Sequence, residues 1–156
     1  MTYCWPFNVQ VIGSTVYVAY AKQDAMAHDD VPGAGLGAID AFDVDGNLLS
    51  RFATAGPLNA PWGIALAPPS FGKFGGALLV GNFGDGHVTA FALDGRQLGQ
   101  LDDGQGNAIA IDGLWGITFG DDQQAGRSDT LYFAAGPGDE AHGLFGRVEA
   151  TTVTIP

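Results

Sequence analysis

Positive charge is what this chain has least of. Six Lys and Arg stand against seventeen Asp and Glu, a formal net charge of −11 over 156 residues. A field of that sign repels phosphate backbones and anionic lipid heads, which removes nucleic acid and membrane surfaces from the expected partners. Cysteine is almost missing too. Cys4, beside Trp5, is the single one, so no internal disulfide can form, and it is read as a small packing residue because a reactive thiol needs an electropositive setting. No apolar run approaches the roughly 18 residues of a membrane span. No basic start followed by an apolar stretch marks a signal peptide, and the chain reads as soluble. Gly-x-Ser-x-Gly, His-Glu-x-x-His and Cys-x-x-Cys are all missing, so hydrolytic and redox chemistry have no legible machinery.

What is present is repetition. With 46% apolar residues, 25 glycines and 8 prolines, the composition is that of a turn-rich globular protein. Three phrases recur, Pro6-Phe7-Asn8-Val9, Pro61-Trp62-Gly63-Ile64 and Leu114-Trp115-Gly116-Ile117, at offsets of 55 and 53 residues. A period of that length belongs to propeller blades or solenoid units.

Each phrase opens a series of short strands. First strands are expected over 7–12, 62–67 and 115–119, mostly apolar and therefore covered on both faces. Second strands follow at 15–20, 77–82 and 130–135, rich in β-branched and aromatic residues, and third strands at 38–43, 87–92 and 144–149. Asp45-Gly46 and Asp94-Gly95 supply the positive φ that tight hairpins require, leading into fourth strands at 48–52 and 97–101. The corresponding 151–155 lacks such a turn. Four antiparallel strands per repeat predict an all-β β-propeller, a single partial propeller domain over 1–156 with blades at about 6–55, 56–106 and 107–156; an all-β sandwich is the alternative.

Leu78-Leu79-Val80-Gly81-Asn82-Phe83-Gly84-Asp85-Gly86-His87-Val88-Thr89-Ala90-Phe91, running on to Asp94-Gly95-Arg96, resembles an NHL repeat. The whole chain is similar to the C-terminal half of an uncharacterised bacterial family of six-bladed propellers, whose longer members often carry an export signal and a PEP-CTERM sorting tail. That second resemblance rests on Pro6-Phe7-Asn8-Val9-Gln10, Tyr20-Ala21-Lys22-Gln23-Asp24 with His28-Asp29-Asp30, Val80-Gly81-Asn82-Phe83-Gly84-Asp85-Gly86, Asp112-Gly113-Leu114-Trp115-Gly116 and Ala135-Gly136-Pro137. It implies a bacterial, exported location and adds no activity.

Propellers close with four to eight blades, and three cannot. Two copies pairing into a six-bladed ring, or a complementary half-propeller from another chain, are the expected partners, covering end faces on which Phe7 and Trp115 would otherwise meet water.

Every repeat carries one histidine in its second-to-third-strand connection, with acidic neighbours: Asp24, His28, Asp29 and Asp30; Asp85 and His87; Asp139, Glu140 and His142. These are the candidate ligand-face residues. Imidazole nitrogens with carboxylate oxygens suit Zn²⁺ or Ca²⁺, and Asp24, His28 and Asp30 form the local metal candidate, although the same residues also read as solvated loop polar groups. Asp43-Val44-Asp45-Gly46-Asn47 lacks the closing Glu of a calcium loop and reads as a hairpin. Pro32 to Gly37 has no helix after it to cradle a phosphate and reads as a flexible connection. Trp62 and Trp115 are expected in the core rather than lining a sugar-stacking funnel, and Trp5 stands where it can cap the first repeat. Two function classes follow. One is a non-enzymatic scaffold binding a ligand or protein at its loop-bearing face. The alternative is a metal-dependent lactonase- or lyase-like propeller enzyme with an axial ion near Asn8, Asn82 and Asp112.

Overall fold

The computed structural model describes residues 4–150, without the side chain of Cys4. The fold is all-β. Eleven strands form three separate antiparallel sheets: β1 (Cys4–Ile12), β2 (Thr15–Lys22), β3 (Gly37–Phe42) and β4 (Leu48–Thr54); β5 (Pro61–Leu66), β6 (Leu78–Asn82), β7 (Val88–Phe91) and β8 (Gln97–Gln100); β9 (Leu114–Phe119), β10 (Thr130–Ala135) and β11 (Leu144–Glu149). Each sheet is a meander whose neighbours in space are its neighbours in sequence. The first two sheets have four strands and the third has three among the described residues. None of these open sheets closes on itself, and the segment 151–155 expected as a further strand lies outside the described residues.

Strand alternation builds two cores, one on each face of the middle sheet. Ile64, Leu78, Val80 and Phe91 point one way, onto Tyr17, Ala19, Ile39, Ala41 and Phe52 of the first sheet. Their neighbours Ala65, Leu79 and Ala90 point the other way, onto Leu114, Ile117 and Leu131 of the third. A side-chain period of two is what lets one strand serve two cores. Fully burying each large aliphatic contributes about 1.5–3 kcal/mol, so the middle sheet anchors the stack. The segment between β5 and β6 adds a 3₁₀ turn at Gly72–Phe74, which tucks Phe71 and Phe74 into the second core.

The first strand of each repeat carries an irregularity at its aromatic. Pairing of β1 with β2 shifts between Pro6 and Asn8, leaving Phe7 extra, and pairing of β5 with β6 shifts between Pro61 and Gly63, leaving Trp62 extra. A bulge takes one residue out of the ladder and bends the strand. Freed in this way, the Trp62 carbonyl accepts a hydrogen bond from Asn8 Nδ2 at 2.7 Å, and its ring meets Phe7 edge-on at 4.5 Å. Phe7 and Trp115 are therefore not the aromatics left open. Phe7 lies against Trp62, and a Cβ at Gly136 would come within 2.9 Å of the Trp115 ring. The expectation that first strands are covered on both faces also fails at β1, where Val9 is 59% and Val11 57% exposed because, among the described residues, no sheet lies beyond the first.

Candidate functional site

In an antiparallel meander, successive connections alternate between the two ends of the sheet. The β2–β3, β6–β7 and β10–β11 connections thus share one end, and the Asp-Gly hairpins at 43–47 and 92–96 share the other. The three connections at the first end, residues 23–36, 83–87 and 136–143, hold six carboxylates and three histidines without a single Lys or Arg. They meet around a cavity of about 210 Å³. Asp30 and Pro32 come from the first, Phe83 and Gly84 from the second, Gly136, Asp139 and Glu140 from the third, and Asp112 and Gly113 from the segment leading into β9. A larger cavity of about 360 Å³ lies at the outer rim between the second and third sheets, walled by Phe71, Phe74, Leu101 and Val148 with the Lys73–Asp102 ion pair. None of the sequence-predicted residues lines it.

Asp30 is the least satisfied group at the loop-bearing end. Its Oδ2 is buried without a hydrogen-bond partner. Burial pushes its carboxyl pKa up, and the negative charges of Asp29 and Glu140 push it the same way. Asp139 and Glu140 carry the opposite wall on a strained backbone, with φ of 52° and 63° in the left-handed region. Carboxylates from the connections of the first and third sheets thus line one cavity, with no Lys or Arg in its wall.

The other predicted residues have structural employment. Asp24 Oδ1 accepts the backbone N–H groups of Met26 at 3.1 Å and His28 at 2.9 Å, which lowers its pKa and closes its own turn. His28 Nδ1 lies 3.0 Å from Asp29 Oδ2 on the surface, a contact that raises the imidazole pKa. Asp24 and His28 are therefore engaged within their own connection, whereas Asp30 Oδ2 has no partner. Among the described residues, no three His, Cys, Asp or Glu gather so as to hold a metal ion. His142 is exposed.

Asp85 and His87 turn inward. Asp85 Oδ2 accepts Asn59 Nδ2 at 3.0 Å, and its Oδ1 accepts Asn82 Nδ2 at 3.2 Å and the His87 N–H at 3.1 Å. His87 Nδ1 sits 2.9 Å from the Ile109 carbonyl. Asn82, fully buried, also donates to the Pro57 carbonyl at 2.7 Å and accepts the Asn59 N–H at 3.2 Å. Asn59 Oδ1 reaches back to the first sheet's connection and accepts Gly33 N–H at 2.6 Å, while Gly35 N–H donates to the Leu58 carbonyl. The loop expected to be flexible is tied down at both points. Of the three axial-ion candidates, Asn8 and Asn82 have their amides committed to backbone, and Asp112 Oδ2 accepts the Gly138 N–H at 3.0 Å.

Asn59 is the residue sequence reading passed over. A signal existed, since Asn59 lies 53 residues before Asp112, the same offset as Trp62 and Trp115. Both are short polar residues set just before the aromatic, and both fasten a neighbouring connection.

No protein-family model matches the chain. It is similar to three uncharacterized proteins of Acanthamoeba polyphaga mimivirus. Protein R648 is 42% identical over 113 residues, 72% of this chain and 28% of that protein. Protein R640 is 37% identical over 117 residues, 74% of this chain and 22% of that protein. Protein L690 is 36% identical over 146 residues, 90% of this chain and 37% of that protein. The chain thus spans between 22% and 37% of the length of these curated relatives. The expected kinship with bacterial PEP-CTERM propellers and NHL repeats is overturned, because the matching proteins are viral and no family model is met. The bacterial source inferred from it falls as well. An apolar strand, a polar turn and an Asp-Gly hairpin are what any short antiparallel repeat needs, so those phrases report turn chemistry more than lineage.

Proposed function

We propose that the three stacked sheets are blades of a β-propeller and that the chain is a non-enzymatic binding scaffold, taking a cationic group of a ligand or protein at its loop-bearing end. The propeller reading draws support from the repeat, from meandering sheets stacked face to face, and from connections gathered at a common end. One observation carries the binding reading: the cavity between the connections brings Asp30, Asp112, Asp139 and Glu140 together with no cationic side chain in its wall, and the buried Asp30 Oδ2 has no partner. One buried carboxylate oxygen without a partner, ringed by exposed carboxylates, favours whatever brings a counter-charge.

A lysine- and arginine-rich peptide and a glutamate-rich peptide of equal length, titrated calorimetrically, test this. Binding of the basic peptide alone is expected, weakening as salt is added because the rim is exposed, and falling at least about tenfold in the triple variant Asp30→Asn, Asp139→Asn, Glu140→Gln. Equal binding of both peptides, no binding of either, or indifference to the triple variant refutes it.

A further inference from the structure

The two end faces of the stack are matched halves of the interface that the chain already builds twice inside itself. In the first sheet, the row Val9, Val18, Asp40 and the row Val11, Val16, Phe42 point away from the second sheet. Their counterparts in the second sheet are the rows Ile64, Val80, Thr89 and Leu66, Leu78, Phe91, and that face packs on the first sheet. At the other end, the row Thr118, Tyr132, Arg147 faces outward from the third sheet. Its counterpart, Ala65, Leu79, Ala90, packs on the third sheet from the second. Among the described residues, each end thus carries an interface pattern without its mate, with Val9 59%, Val11 57% and Phe145 75% exposed.

The backbone repeats the statement. Asn8 in the first sheet bonds the Trp62 carbonyl of the second, and a Cβ at Gly63 would meet the Trp115 carbonyl of the third within 2.8 Å. Gly116 is the next position in that series and has nothing within 4 Å of its Cβ site. The residue in the place of Trp62 and Trp115 that has no preceding sheet over it is Phe7, the bulged aromatic of β1.

We propose that a second copy of this chain covers both ends, the third sheet of each copy seating on the first sheet of the other, with Gly116 of one against the Phe7 backbone of its partner. Charge permits it. In a chain of net charge −11, the first-sheet face holds the Arg51–Asp40 pair with Lys22 as a further cation and the third-sheet face holds the Arg147–Glu149 pair, so neither strand face sets a surplus of carboxylates against the other. Two head-to-tail contacts related by a two-fold axis leave no open face.

Light scattering on the purified chain is expected to give the mass of two copies; the mass of one copy, or a ladder of larger species, overturns the proposal. Val9→Glu and Phe145→Glu alter exposed positions, so circular dichroism should show both folded as the wild type is. Each alone is expected to be a monomer, with association weakened on the order of 100-fold or more by burying an unpaired charge. Mixing them should restore pairing through the one contact in which both faces are intact. Pairing by either variant alone means that a face meets its own copy, which overturns the head-to-tail arrangement.

Discussion

Replacing Asn82 with alanine asks whether the second sheet's connection is a structural knot or a free ligand surface. The side chain is fully buried and holds three hydrogen bonds, to the Pro57 carbonyl, the Asp85 carboxylate and the Asn59 N–H. Each bond contributes about 1 kcal/mol net, and a buried group left without its partner costs about 1–3 kcal/mol more. Asn59 N–H is such a group. The loss is therefore about 4–6 kcal/mol, and at about 2–4 °C per kcal/mol for a chain of this size the melting midpoint should fall by about 8–24 °C. Asn82→Asp keeps the acceptor for Asn59 but loses both donors and sets a second carboxylate beside Asp85, so it should fall further than alanine. Chemical denaturation with unchanged m-value, alongside thermal melts, reads both. A loss below about 1 kcal/mol for Asn82→Ala, or a milder Asp variant, would refute the account of Asp85 as an internal acceptor and return it to the ligand face.

Other outcomes follow from the same structure. Gly63→Ala should destabilise the fold by about 1–3 kcal/mol, because its Cβ would meet the Trp115 carbonyl at 2.8 Å and Ile117 at 2.9 Å, whereas Gly116→Ala should leave the melting midpoint of the separated chain unchanged. Asp30→Asn should stabilise the protein at neutral pH. The folded state raises the Asp30 pKa above its ordinary 3.8, so it holds that proton more tightly than the unfolded chain does, and stability is lost as pH rises through the folded value. The variant's advantage should shrink to nothing below the unfolded value, as melts across acid pH would reveal; a constant advantage contradicts the linkage. Phe52→Ala, removing a ring that contacts both Tyr17 and Phe91, should cost about 3–5 kcal/mol by denaturation.

Much of the strand plan was legible because it rests on local physics. Asp-Gly dipeptides, β-branched runs and the aromatic openings each specify a turn or a strand without help from distant residues. The expected second strands at 15–20, 77–82 and 130–135 fall within β2, β6 and β10 or extend one residue beyond them. The site was less legible, for a reason visible in Asp85 and Asp139. Both are acidic residues in equivalent connections, yet Asp85 is gripped by Asn59 and Asn82 while Asp139 faces an open cavity. The third repeat has Ala135 where the second has Asn82, so the grip cannot form there. Deciding between the two roles required knowing that Asn59 lies across from Asp85, a contact between residues 26 apart that the local Asn82–Asp85 spacing does not encode.

The bulged aromatics connect the chain's repetition to its use. Taking Phe7 and Trp62 out of the ladder exposes a backbone carbonyl at the edge where one sheet leans on the next, and the Asn8–Trp62 bond and the close approach of Gly63 to Trp115 both exploit that position. The same joint sets the spacing between sheets, and that spacing decides how closely the connections at the loop-bearing end can gather. Asp30 and Glu140 come from the first and third sheets, so their electrostatic coupling depends on two such joints in series. Widening one joint at Gly63 should therefore relax first the burial and then the Glu140 repulsion that raise the Asp30 pKa, and an NMR titration of the Gly63→Ala carboxyl groups should show it falling back toward its ordinary value; an unmoved Asp30 contradicts the coupling.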